Sequence, residues 1–256
     1  MSSVIASHLV LAAAAVDADP DVVVSRTAAL LHPTSHEALA EHVGDLRMSQ
    51  SDDIADLPLP PLALLLSGGP VSSEAAGVVE SPGRAWSVIL RTRAEQTVAA
   101  QYAARAAAAL LAHHVDGVGI DLAIPRVWPR LAPDADPDRT ADWFGLERAT
   151  DDGAVTTTTR GLTRFGIPEL RVVDVDAAHV PAWDAVLTGI AHRLVTTGPQ
   201  APPDRVDLGL RDIAAGYAEP VDPDDPTLRR LTTVDLAYAD DVAEVSGSAV
   251  ADLFVG

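Results

Sequence analysis

Residues 144–175 read FGLERATDDGAVTTTTRGLTRFGIPELRVVDV, and the reading of this stretch decides the fold class. Asp151-Asp152-Gly153 separates two extended runs, 144–150 and 154–162, and Asp-Gly between such runs is a strong hairpin signal. Thr156 to Thr159 favour strand over helix, because β-branched side chains fit a pleated surface. A second turn at Gly166-Ile167-Pro168 opens another extended run at 169–175, which completes a three-stranded meander.

Upstream, apolar runs predict strands at 9–16, 62–66, 86–91 and 118–124, while the valines at 22–24 fit either a strand or the start of a helix. Capping-box patterns at Thr34-Ser35-His36-Glu37 and Thr92-Arg93-Ala94-Glu95 predict helices running to about Gly44 and His114. A third helix opens at Pro181 and stops at Gly198-Pro199. Its stripe Trp183, Val186, Leu187, Ile190 and Leu194 is one apolar face, with His192 pointing away. Short runs at 206–210 and 233–238 follow between proline-rich acidic segments, and the apolar end at Phe254 and Val255 is expected to cover the parent sheet. The order predicts an α+β protein: a mainly antiparallel or mixed sheet with about three helices packed on it. Residues 1–198 read as a single domain, and 199–256 as a C-terminal extension packed on it.

Composition narrows the chemistry. The 256 residues hold no cysteine, lysine or asparagine, which removes disulfides, thiolate chemistry, Schiff bases and a Walker lysine. With 37 acidic against 18 basic residues the net charge is −19, a surface that repels nucleic-acid phosphates and anionic lipid. A cationic partner is the sharp reading of that charge, and a solvated acidic surface the plain one. Residues 9–16 resemble a signal-peptide core but lack a positive flank, since the first arginine is Arg26; a cytoplasmic location is expected.

Motifs for specific chemistry fall short. Asp134, Asp136, Asp138 and Asp142 begin like a calcium loop, but Arg139 stands where glycine is needed and Gly145 where glutamate is needed. His36 and His42 are six apart and point away from each other on a helix, and Pro33 interrupts the His32–His36 pair, so no metal ligands are assigned. Ser67-Gly68-Gly69-Pro70 lacks a nucleophile-elbow frame, and Asp116-Gly117-Val118-Gly119 enters a strand instead of leaving one. No cofactor is expected.

The segment Thr159-Arg160-Gly161-Leu162-Thr163-Arg164-Phe165-Gly166-Ile167-Pro168-Glu169-Leu170 resembles a signature of the bacterial domain-of-unknown-function family four-two-six-one. The preceding order is similar too: a strand with a tryptophan, an alanine-rich helix, then a glycine-containing strand ending in Ile124-Pro125. The resemblance spans residues 62–198 and implies an uncharacterised soluble bacterial protein, with no catalytic residue to carry over.

The function expected from all this is a non-enzymatic binding or interaction module, a monomer or small homo-oligomer with a protein partner and no nucleic acid or membrane. The alternative is a small-molecule enzyme using carboxylate acid–base chemistry, with arginines holding an anionic substrate. Candidate binding residues are Arg160, Arg164 and Glu169, with Glu169 in an exposed cross-strand ion pair to one of the arginines.

Overall fold

The computed structural model describes residues 3–14, 16–51, 57, 59–67, 71–93, 96–128, 131–197, 203–247 and 250–254. The chain divides into two compact units, Met1–Pro137 and Asp138–Gly256. The division falls in the acidic proline loop at 134–138, not near residue 198, because each sheet closes its strand pairing within its own unit.

The first unit runs β1 (Ser3–Ala12), α1 (Pro20–Thr27), α2 (Pro33–His42), β2 (Leu46–Ser51), α3 (Leu62–Ser67), α4 (Ser73–Glu80), β3 (Arg84–Arg93), α5 (Thr97–His114), β4 (Val118–Asp121) and β5 (Arg126–Val127). Its antiparallel sheet has the order β2-β3-β1-β4-β5, so β1 lies between β3 and β4 in a split βαβ arrangement. Alternation along β1 sends side chains to both faces. Leu9 and Leu11 meet Ile120 and Ala85 over Leu65, Val78 and Val79 of α3 and α4. His8, Val10 and Trp86 occupy the opposite face, where α5 lies. Every residue of α5 from Ala100 to Ala112 is buried, and its alanines let neighbouring elements approach closely.

Two readings change here, and one left open is decided. The run at 62–66 is helical: Leu65 donates to the Pro61 carbonyl, Leu65 is buried while Leu64 is exposed, and leucine favours helix where no β-branch opposes it. The valines at 22–24 belong to α1, whose first turn is held by the Asp19 carboxylate accepting from the Asp21 and Val22 amides at 3.0 and 3.3 Å. Thr92 does not cap α5. It pairs with Val4 inside β3, and the helix begins only after Gln96.

The second unit contains β6 (Gly145–Asp151), β7 (Ala154–Arg160), β8 (Glu169–Asp176), α6 (Val180–Thr197), β9 (Arg205–Gly209), α7 (Leu210–Gly216), β10 (Leu231–Ala239) and β11 (Val242–Ser246). The sheet order is β6-β7-β8-β11-β10-β9, antiparallel except where β11 meets β8. Asp152 and Gly153 take positive φ, 46° and 87°, as a two-residue hairpin turn demands. The predicted meander is present, but residues 205–246 add three strands to the same sheet and are integral to it. Val250 and Leu253 are buried, whereas Phe254 is exposed; Val255 lies outside the described residues. The fold is α+β with seven α-helices among the described residues and two sheets, more helix than the sequence pattern announced.

Candidate functional site

The predicted hairpin site does not assemble as expected. Glu169, the first residue of β8, is buried. Its carboxylate accepts from the Thr159 hydroxyl at 2.8 Å and the Gly161 amide at 2.7 Å, with longer contacts from the Thr163 amide and hydroxyl at 3.4 Å. A 3-10 turn at Leu162–Phe165 bends over it, bracketed by Gly161 and Gly166 at φ 116° and 74°. The exposed cross-strand ion pair is thus replaced by a buried carboxylate that gathers turn donors. Arg160 is exposed and pairs instead with Glu147 at 2.7 Å. Arg164 is buried, donating from Nε to the Gly161 carbonyl at 3.1 Å with its guanidinium 5.7 Å from the Trp143 ring centre. One sequence segment holds all three, yet they do not converge on one concavity; the depression of about 320 Å³ at Thr163, Ile167 and Asp241 is not lined by any of them.

A prediction follows from this contrast. Arg160→Ala is expected to cost under about 1 kcal/mol, since its ion pair is exposed. Gly166→Val is expected to cost about 2 kcal/mol, because a β-branched residue is strained at φ 74° although space is open around it. Urea midpoints of the two variants check the order; equal losses would contradict it.

A second polar group lies on α6. His192 does not point away: its Nδ1 is 3.0 Å from the Thr140 hydroxyl, and Thr188 donates to the Tyr217 hydroxyl at 3.2 Å nearby. Burial lowers the His192 pKa below its ordinary value, against the opposing pull of Asp138 and Asp212. The folded state favours the neutral ring. Its contribution to stability is therefore complete above the ordinary value of 6.5 and is lost as pH falls through the lowered folded value. Protection factors at 140–142 and in α6, referenced to intrinsic exchange at each pH, are expected to fall on acidification from neutrality to about pH 5, and less so in His192→Gln. Identical pH profiles in the two proteins would refute the assignment.

In the first unit, His8, Asp121 and Arg126 sit side by side across β1, β4 and β5, all buried. The Trp128 ring lies 4.5 Å from the Arg105 guanidinium and 5.6 Å from that of Arg126. The Asp121 carboxylate accepts from the Ala123 and Ile124 amides at 3.0 and 3.3 Å, in the turn that leads to β5.

Among the described residues, a groove of about 220 Å³ opens in the first unit between α1, α2 and β2. Asp21, Val24 and Ser25 of α1 with its C-cap Ala28, and His36, Leu39 and Ala40 of α2 with its C-cap Val43, face it, each set at i, i+3, i+4, i+7. Met48 of β2 closes the floor. The lining is mainly apolar, and Val43 is 53% exposed at its lip. Trp86 fixes the entry to α1 by donating from Nε1 to the Ala18 carbonyl at 3.3 Å, and Pro33 opens α2 at its first turn. Sequence reading missed this site. The one available signal was the matching helical spacing, hidden because Asp21, Ser25, His36 and the alanines look like solvent-facing residues.

Among the described residues no three His, Asp or Glu side chains gather closely enough to hold a metal ion, and no helix is long and apolar enough to cross a membrane. The serine-glycine turn at 67–70 falls largely outside the described residues. No protein-family model matches the chain, and neither a curated protein nor a solved structure does so.

Proposed function

We propose that this protein is a non-enzymatic binding module whose ligand seats in the groove between α1 and α2. The observation that carries the reading is the apolar concavity with an exposed valine lip, a feature soluble surfaces keep where something docks. Its polar groups, Asp21, Ser25 and His36, sit beside apolar side chains and suit orientation of a ligand. The hairpin supports the enzyme alternative less well, because the Glu169 carboxylate is spent on turn donors. Kinship with the family that the 159–170 segment resembles is part of the proposal and rests on that segment alone.

Methyl NMR against a library of peptides and small fragments tests this. Ligands are expected to shift Val24, Leu39, Val43 and Met48. Ligands that shift residues 159–169 instead, and are chemically converted, would overturn the proposal in favour of catalysis.

A further inference from the structure

We infer that the occupant of the groove is an extended, basic segment of another protein, which adds a strand to the outer edge of β2 and inserts aliphatic side chains between α1 and α2. The inference rests on the groove reading above and specifies its partner.

Size argues first. A groove of 220 Å³ is smaller than the roughly 300–1,000 Å³ of sites that enclose drug-sized ligands. It suits inserted side chains better than a whole small molecule or helix.

Position argues next. Among the described residues β2 pairs with β3 alone and ends the sheet, so its outer edge offers backbone donors and acceptors. Met48, in the middle of that strand, also forms the groove floor. A strand laid beside β2 would lie about 4.8 Å away and would put alternate side chains on the Met48 face, toward the groove. Strand addition of this kind takes affinity from the main chain and selectivity from pockets for every second residue.

Charge completes the description. From residue 17 to residue 51 the chain carries Asp17, Asp19, Asp21, Glu37, Glu41 and Asp45 against only Arg26 and Arg47. All six carboxylate residues are exposed, and one of them, Asp17, is paired with Arg84 at 3.4 Å. A basic partner is drawn to this rim, and a second copy of the same acidic edge is repelled.

The test uses the full chain and a short fluorescent peptide of alternating valine and arginine, read by anisotropy. Comparison peptides carry glutamate for arginine, serine for valine, or N-methyl groups on alternate amides. Binding of the parent peptide is expected to be at least about tenfold tighter than that of each comparison peptide, and to weaken from about 0.05 to 0.5 M salt. Val43→Gln, an exposed neutral change that leaves the acidic rim intact, is expected to weaken it by about tenfold as well. N-methyl and parent peptides binding alike would overturn strand addition. If a basic amphipathic helix shifts the groove methyls while the extended peptide does not, the occupant is wrong and the groove reading stands. If no peptide or fragment shifts them, both fail. A dimer of the chain that Val43→Gln abolishes would give the edge to a second copy and overturn the inference.

Discussion

Glu169→Ala is expected to destabilise the second unit by about 3 kcal/mol, the scale for removing a charged acceptor and leaving buried donors unmet. The Gly161 amide and the Thr159 hydroxyl, at 2.7 and 2.8 Å from the carboxylate, would both lose their acceptor. Because Thr159 Oγ1 also accepts from the Leu170 amide at 2.7 Å, the loss reaches the β7–β8 ladder itself. Glu169→Gln is expected to cost about 1–2 kcal/mol, since its amide nitrogen turns a donor toward a donor. Hydrogen exchange in β7 and β8 reads both values within this unit. A loss below about 0.5 kcal/mol for alanine would mean that the turn is held by other contacts.

Trp86→Ala is expected to cost about 3–5 kcal/mol in the first unit, the range for truncating a fully buried aromatic side chain. It also removes the indole donor to the Ala18 carbonyl, so α1 loses its tether and the groove its wall. Trp86→Phe keeps most of the volume and is expected to cost about 1 kcal/mol from the missing hydrogen bond plus a smaller packing loss. Exchange protection in α1 should fall in both variants and in β3 mainly in the alanine variant. Unchanged protection of α1 in either would show that the indole does not position it.

Much of this architecture is legible in the residues where one local force dominates. The β6–β7 hairpin is readable because Asp152-Gly153 suits two consecutive positive φ angles, and α6 because its buried stripe keeps helical period through Val186, Leu187, Ile190 and Leu194. Leucine-rich 62–66 misleads, since a short apolar run has no period to separate helix from strand. Glu169 misleads differently. Arg160 and Arg164 are the partners visible in one dimension, while the backbone amides of a glycine-bracketed turn appear only once the turn exists. The groove is harder still, because it is shared by helices from two segments whose facing residues mix Asp21, Ser25 and His36 with small and apolar side chains. The unit boundary at Pro137 is hidden among several similar Asp-Pro loops.

The most direct test of binding at α1 and α2 is the set of intermolecular nuclear Overhauser contacts in the complex with the valine–arginine peptide. Contacts are expected from the Met48, Leu39 and Val43 methyls to alternate valines of the peptide, together with backbone contacts along β2. A saturated complex whose contacts lie instead around Thr163, Ile167 and Tyr238 of the second unit would contradict the account.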